Sequence, residues 1–232
     1  MPMRSIVNTA RTLSYYTKLQ AVTANNLANA NTDAFKADRM TARQLPGREY
    51  PVPVERTDLE QGRLHETGRP LDLGLEGPGF FVVRTARGER LTRGGSLRLD
   101  ASGCLMDGRG DPLVGVDGPI RVNGAEVEIK SDGTVLVDGA GAGRLRIETV
   151  DDPASLLKEG LGRYVPAGTL RPVPENQALV RQGSVEEANL DPLLSMVDLV
   201  SIQRSYGANI DALKVLDGVL GAITTEVGKI SP

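Results

Sequence analysis

Aromatic residues are scarce in this sequence, and their scarcity excludes some functions. Tryptophan is absent, and only three phenylalanines and five tyrosines occur in 232 residues. A surface that stacks nucleic-acid bases needs aromatic side chains and a basic face, whereas the net charge here is −3. We therefore expect no nucleic-acid partner, and a core built from leucine, valine, isoleucine and alanine.

Cysteine and histidine each occur once, as Cys104 and His65. One cysteine cannot form an intramolecular disulfide, and one histidine cannot anchor a histidine-rich metal site. We interpret Cys104 as a small buried hydrophobic residue and His65 as a solvated side chain. The sequence therefore predicts no metal site.

Catalytic motifs are also missing. A Ser-His-Asp triad has to use His65, which has no serine in a Gly-x-Ser-x-Gly elbow near it. The glycine-containing stretches GGSLRLDASG and GAGAGRLRI lack the features of phosphate loops and indicate turns. The paired carboxylates Asp151-Asp152 and Glu186-Glu187 are interpreted as solvated residues near turns or a helix start. We expect no catalytic residue, no cofactor and no small-molecule substrate, so the chain is predicted not to be an enzyme.

Long apolar runs are absent as well. The N-terminal stretch MPMRSIVNTARTLSYYTKL has no apolar core of the length that a signal peptide needs. Nowhere do about eighteen apolar residues follow one another. If the protein works outside the cytoplasm, we expect export by a machine that reads no cleaved signal.

Helical periodicity marks both ends of the chain. At the N-terminus, a weak seam in alternating steps of four and three contains Ile6, Ala10, Leu13, Thr17, Gln20, Ala24 and Leu27. The stretch ANNLANANTDAFK follows, and its asparagines predict a sharp helix end because their side chains compete with backbone hydrogen bonds. This helix needs a packing partner, since an isolated amphipathic helix is marginally stable.

The C-terminal helix carries the strongest periodic signal, which we call the inner seam. Its members alternate in steps of three and four: Leu199, Ile202, Tyr206, Asn209, Leu213, Leu216, Leu220, Ile223 and Val227. At about 1.5 Å per residue the seam spans about 40 Å, which suits a coiled coil or bundle. Asn209 is the kind of polar residue that fixes the register of such a seam. Asp191 and Pro192 indicate the start of the helix.

The sequence pattern in the middle of the chain is typical of a β domain. Short alternating runs such as LDLGL, GFFVVR, EVEIK and TVLVD are separated by Ser-Gly, Asp-Gly and Asn-Gly pairs. Such pairs favour antiparallel hairpins. Two connectors rich in proline and arginine flank this region and predict extended chain with few ladder hydrogen bonds.

The predicted fold class is α+β, with terminal helices paired in a coiled-coil or bundle domain, extended linker arms, and a central all-β antiparallel domain. The predicted boundaries are residues 1–35 for the N-terminal helical segment, 36–70 for the first arm, 71–172 for the β domain, 173–190 for the returning arm and 191–232 for the C-terminal helix.

Three segments resemble the signatures of the flagellar basal-body rod and hook family. They are AVTANNLANANTDAFKADR, RPLDLGLEGPGFFVVRTARGERLTRGGSLRLDASGCL and QGSVEEANLDPLLSMVDLVSIQRSYGANIDALKVLD. Ala34 stands where the family usually has glycine. The residues that match the family motifs are Asn25, Asn26, Leu27, Asn29, Phe35, Lys36, Gly79, Phe80, Phe81, Thr92, Arg93, Gly183, Asn189, Gln203 and Arg204.

The resemblance implies a structural subunit of a helical tube, the rod that transmits torque from the motor to the hook. It implies as partners other copies, other rod proteins and the flagellar type III export apparatus, with localisation in the periplasm-spanning basal body. Leu13, Leu27 and the inner seam are the predicted helix-packing and polymer interface. The short chain and compact connector favour a proximal over a distal rod subunit, and a monomeric glycan-binding module with helical anchors is a more remote alternative.

Overall fold

The computed structural model describes residues 2–44, 51–160, 162–174 and 176–227, with the backbone alone at 2–6, 154 and 223–227. The described residues form two α-helices, nineteen strands and the short 3-10 helix Pro153–Ser155. The helices are α1 (Pro2–Ala28) and α2 (Pro192–Val227). The strands are β1 Asp38–Arg43, β2 Val52–Thr57, β3 Leu64–Glu66, β4 Leu73–Glu76, β5 Phe80–Thr85, β6 Gly88–Thr92, β7 Arg98–Leu99, β8 Leu105–Met106, β9 Val114–Gly115, β10 Gly118–Pro119, β11 Val127–Ile129, β12 Thr134–Val137, β13 Ala140–Arg144, β14 Ile147–Val150, β15 Leu157–Gly160, β16 Arg163–Val165, β17 Leu170–Pro172, β18 Leu179–Gln182 and β19 Ser184–Glu186.

The chain divides into two compact units. The helical unit contains residues 1–28, 38–55 and 191–232, and the β unit contains residues 29–37 and 56–190. These units differ from the predicted segments, because residues 29–37 belong with the strands rather than with the first helix. The two terminal helices, α1 and α2, contact each other within the helical unit.

A six-stranded antiparallel sheet organises the β unit, in the order β15-β16-β6-β5-β14-β17. Strand β5 lies inside this sheet and contains the apolar residues of the GFFVVR run, which predicted a strand. Because side chains alternate along a strand, Phe80 and Val82 enter one hydrophobic cluster while Phe81 and Val83 enter another. The strand is therefore buried on both faces, which explains its almost continuous apolar sequence.

Four of the predicted turn pairs close antiparallel hairpins. Ser102-Gly103 lies between β7 and β8, Asp117-Gly118 between β9 and β10, Asp132-Gly133 between β11 and β12, and Asp138-Gly139 between β12 and β13. Cys104 is buried, as predicted. His65 lies on β3 with 63% of its side chain exposed, also as predicted.

The connectors carry more ladder pairing than the sequence indicated. In the returning segment, β18 pairs with β4 and β19 pairs with β3. The incoming segment contributes β1 and β2, which pair with each other, and β3. The prolines misled the prediction because they lie where strands tolerate them: Pro172 is on β17, an edge strand, and Pro53 is in a two-stranded sheet.

Candidate functional site

A buried charged node lies in the β unit and consists of Lys36, Arg93 and Glu186. The carboxylate of Glu186 accepts a hydrogen bond from Lys36 Nζ at 2.5 Å on one oxygen and from Arg93 Nε at 2.7 Å on the other. The three residues are 1%, 4% and 1% exposed, respectively. Lys36 lies just before β1, Arg93 directly follows β6, and Glu186 is the last residue of β19. One carboxylate therefore joins three segments that are 57 and 93 residues apart in sequence.

The charges of the node are not balanced, since two cations share one anion. Lys36 Nζ also donates to the carbonyl of Glu60 at 2.5 Å, and the amide of Gly62 donates to Glu186 at 2.8 Å. Burial lowers the pKa of Lys36 below its usual 10.5, and the hydrogen bond to Glu186 opposes this shift. Glu186 is therefore the carboxylate that pairs directly with both buried cations.

Arg93 also stabilises the turn between β4 and β5 through hydrogen bonds. Its guanidinium donates to the carbonyls of Leu75 at 2.9 Å, Gly77 at 2.8 Å and Gly79 at 2.8 Å. The φ of Gly79 is +109°, and a Cβ there would lie 2.8 Å from Val173 Cγ2. Glycine is thus required at this position both by conformation and by space.

The other motif residues of this region are buried nearby. Thr92 Oγ1 donates to the carbonyl of Gly162 at 3.1 Å. Phe80 and Phe81 lie in the two hydrophobic clusters described above. The amide of Gly183, where φ is +74°, donates to the carbonyl of Asp72 at 2.8 Å.

Phe35 and Ala34 hold the turn that brings Lys36 into the node. Ala34 is buried with a φ of +56°, a left-handed conformation, and its amide donates to the carbonyl of Glu186 at 2.6 Å. Lys158 Nζ lies 4.3 Å from the centroid of the Phe35 ring and donates to the carbonyl of Lys36 at 2.8 Å. The turn is as sharp as a glycine would make it, although the residue is alanine.

Asn189 closes the same region from the returning segment. Its side-chain oxygen accepts from the amide of Ala37 at 2.8 Å, and its Nδ2 donates to the carbonyls of Asp58 at 2.9 Å and Glu60 at 3.1 Å. One amide side chain thus satisfies three backbone groups from two segments. The geometry explains why asparagine, with a donor and an acceptor, occupies this position.

In the helical unit, Asn26 explains part of the asparagine-rich helix end. Its side chain donates to the carbonyl of Asp38 at 2.8 Å and accepts from the amide of Asp38 at 2.9 Å. This pair of hydrogen bonds mimics a backbone ladder and holds the start of β1 against the last turn of α1. Asn25, also in α1, is exposed. Asn29 belongs to the β unit, where its carbonyl accepts a hydrogen bond from the amide of Thr32 at 2.9 Å.

The inner seam of α2 is the less exposed side of that helix. Ile202 is buried, and the side chains of Leu199, Tyr206, Asn209, Leu213, Leu216 and Leu220 are half-buried. Asn209 Nδ2 donates to the carbonyl of Ser205 within the helix at 2.8 Å. The side chains of Ile223 and Val227 lie outside the described residues.

The N-terminal cap predicted for α2 is confirmed. Asp191 Oδ1 accepts hydrogen bonds from the amides of Leu193 at 2.8 Å and Leu194 at 3.3 Å, and the helix begins at Pro192. These bonds satisfy two of the amides that a helix N-terminus leaves without an intrahelical acceptor.

The seam predicted for α1 is only partly the shielded side of that helix. Leu13, Gln20 and Leu27 are half-buried, but Ala10, Thr17 and Ala24 are exposed. The less exposed positions on this helix also include Thr9, Thr12, Tyr16, Leu19, Val22 and Thr23. Many small and polar residues satisfy a three-four pattern on more than one side of a helix, so periodicity alone did not select the correct side.

A second apolar surface on α2, the outer stripe, faces solvent. At about 3.6 residues per turn most of its members lie on the side away from the inner seam, and Val219 lies at the edge of that side. Its members are Leu193, Val197, Val200, Val215 and Val219, with exposed fractions of 70%, 59%, 47%, 67% and 51%. The motif residues Gln203 and Arg204 are also exposed, and Arg204 lies on this side between Val200 and Val215.

Glu186 is the functional residue that sequence reasoning missed. Its pairing with Glu187 was interpreted as two solvated carboxylates, and that interpretation is wrong for Glu186, which is buried, while 48% of the Glu187 side chain is exposed. The available signal was Lys36 itself, because a lysine fixed in a motif beside a phenylalanine needs a counter-ion if it is buried.

The described part of the chain contains neither a metal-binding cluster nor a membrane-spanning helix. No group of three or more histidine, cysteine, aspartate or glutamate side chains is placed to hold a metal ion there. Within the same residues, neither helix has a stretch long and apolar enough to cross a membrane.

Three family models match this chain, in the order expected of a flagellar axial protein. Residues 10–36 match the model described as flagella basal body rod protein, residues 74–137 match the flagellar hook protein FlgE/F/G D1 domain, and residues 181–226 match the flagellar basal body rod FlgEFG protein C-terminal. The charged node draws one residue from each of these matched regions: Lys36, Arg93 and Glu186.

Curated relatives cover most of the chain. A flagellar basal-body rod protein FlgF of Escherichia coli is 31% identical over 87% of this chain and 89% of its own length, and that of Caulobacter vibrioides is 30% identical over 80% and 82%. The chain therefore belongs to the family of flagellar basal-body rod proteins. It is a structural rod subunit, as its relatives are, and not an enzyme. Within the family it is more similar to these FlgF proteins than to a FlgG of Bacillus subtilis, which is 26% identical over 89% and 92%.

Proposed function

We propose that this protein assembles through its two terminal helices into the helical tube of the rod and so transmits torque from the motor to the hook. Within one subunit, the inner seam of α2 packs with Leu13 and Leu27 of α1 as a short coiled coil. Between subunits, contacts use helix surfaces that a single chain leaves exposed.

The exposed outer stripe of α2 is the observation that carries this proposal. A helix that folds only for its own chain needs one apolar side, whereas α2 has two. Burying half-exposed valine and leucine side chains contributes on the order of 1 kcal/mol for each side chain. Contacts of this kind between different surfaces of identical subunits generate a helical polymer when the rotation between neighbours does not close into a ring.

The connectors are held firmly within the β unit. The charged node and Asn189 join residues of the incoming connector to residues of the returning connector.

We further propose that the subunit takes the FlgF position, in the proximal part of the rod, and that it is exported by the flagellar type III apparatus without a cleaved signal peptide. The identity to FlgF relatives favours this position over the distal one. Other rod and hook proteins are the expected neighbours.

Purified basal bodies provide the test. We expect mass spectrometry to find the chain in them with an untrimmed N-terminus, and a label on the β unit to lie near the membrane end of the rod. A trimmed N-terminus contradicts the export proposal, and a label beside the hook supports the distal alternative.

A truncation tests the role of the helices. Removing residues 192–232 is expected to abolish incorporation into basal bodies while leaving the circular dichroism of the strands unchanged. If the truncated chain is still incorporated, the helices are not the assembly element, and a binding module with helical anchors becomes the better interpretation.

A further inference from the structure

A cleft in the helical unit lies between α1 and β2, and we call it the α1–β2 cleft. Its volume is about 620 Å³, and it is lined by Tyr15, Tyr16 and Lys18 of α1, by Val52 and Pro53 of β2 and by Pro51 just before β2, among others. The two tyrosine rings meet edge to face, with centroids 5.7 Å apart. The rings, prolines and valine form the apolar part of the cleft, and Asn8, Arg11, Thr12, Ser14 and Lys18 form a polar part that carries two cations.

The charges of the two helices are complementary. The sequence of α1 contains three basic residues and no acidic one. The sequence of α2 contains four acidic and two basic residues. On the side of the outer stripe, Asp211 lies one turn before Val215, and 74% of its side chain is exposed.

We propose that the α1–β2 cleft of one subunit receives the outer stripe of α2 from a second copy of this chain. Valine side chains of the stripe enter the apolar part of the cleft, and Asp211 approaches the Lys18 edge. This inference rests on the proposed function and adds to it the two surfaces that meet.

Three features favour a second copy as the occupant. The stripe and the cleft are on the same unit, so each copy offers both halves of the contact. The two surfaces differ, so the contact can repeat from one subunit to the next and does not pair two subunits as a two-fold dimer. The ion pair of Asp211 with Lys214 is exposed and therefore weak, so Asp211 can exchange it for Lys18 at little cost.

Cysteine cross-linking in assembled basal bodies tests this contact. Cys104 is the only cysteine, so Cys104→Ala gives a cysteine-free background. Cells co-express one variant with Tyr15→Cys and one with Val215→Cys, and basal bodies are oxidised mildly before electrophoresis without reductant. Ser14→Cys, at a second exposed position of the cleft, replaces Tyr15→Cys if the loss of the ring impairs folding.

We expect the mixed dimer of the two variants to form several-fold more than in a matched control in which Lys214→Cys replaces Val215→Cys. The Lys214 side chain is 73% exposed, and it points about 100° around the helix axis from Val215. Adding Lys18→Glu to the cleft variant should lower the yield, and adding Asp211→Lys to the other variant should restore it.

Other outcomes overturn the inference. Cross-linking equal to the Lys214 control, or dimers formed by Val215→Cys alone, would mean that the stripe does not enter the cleft. If the unmodified chain is present in basal bodies in that case, the proposed function stands and only this contact fails. If the unmodified chain is absent from basal bodies, the proposed function fails and this inference fails with it.

Discussion

Replacing Glu186 with glutamine is the sharpest test of the charged node. Glutamine keeps the shape of the side chain but removes the negative charge that compensates Lys36 and Arg93. In the native protein both carboxylate oxygens accept: one from Lys36 Nζ at 2.5 Å and Gly62 N at 2.8 Å, the other from Arg93 Nε at 2.7 Å. The amide group of glutamine necessarily points a donor at one of these donors.

The expected loss of stability is large. Removing one partner of a buried ion pair costs about 3–5 kcal/mol, since the remaining charge is buried without compensation. Lys36→Met should cost less, about 1–3 kcal/mol, because Glu186 and Arg93 still pair. In the double variant with Lys36→Met and Glu186→Gln, the loss in free energy of unfolding should be smaller than the sum of the losses in the two single variants, since the residues share one network.

Urea unfolding followed by circular dichroism is the assay, because the chain has no tryptophan to report by fluorescence. Glu187→Gln is the matched control: the same chemical change one residue away, at a side chain that is 48% exposed. We expect the control to change the free energy of unfolding by less than about 0.5 kcal/mol. If Glu186→Gln costs no more than this control, the reasoning on the node is refuted.

Three further predictions concern the turn, the acid stability and the two sides of α2. Ala34→Val should destabilise the β unit by about 1–3 kcal/mol in urea unfolding, because a β-branched residue is strained at a φ of +56°; a native midpoint would contradict the left-handed turn. Burial alone would raise the pKa of Asp72, but hydrogen bonds from Thr67, Arg69 and Ser96 outweigh burial and hold this pKa below 3.8. The stabilisation by ionised Asp72 is therefore complete above pH 3.8 and is lost as the pH falls through the lowered pKa, so Asp72→Asn should flatten the acid limb of a stability–pH curve; an unchanged limb would refute this role. Leu216→Asp should weaken the helix pair in the isolated chain, measured as lost helical circular dichroism, and should prevent motility. Val215→Asp should leave the isolated chain folded and still block rod assembly. Normal swimming by both variants would argue against α2 as the packing element.

Much of the fold could be predicted from local patterns. The GFFVVR run indicated a buried strand, the Asp-Gly and Ser-Gly pairs indicated hairpins, and Asp191 with Pro192 indicated a helix start. Each of these signals acts over a few residues, because strand alternation, turn conformation and helix capping are local properties.

The charged node could not be predicted in the same way. Lys36 and Glu186 are 150 residues apart in sequence, and an ion pair at that separation leaves no periodic pattern. Pairing of β18 and β19 with β4 and β3 was missed for a similar reason, since the partners are distant and prolines in between favoured an unpaired segment. Family motifs located Lys36 and Arg93, but only the structure identified the carboxylate that they share.

Imaging purified basal bodies at a resolution that traces the chain is the most direct test of the central claim. The account predicts α1 and α2 of every copy in the inner layer of the rod, with the inner seam between helices of one subunit and the outer stripe against a neighbouring subunit. A rod that lacks this chain, or a chain attached through its β unit with both helices facing solvent, would contradict it.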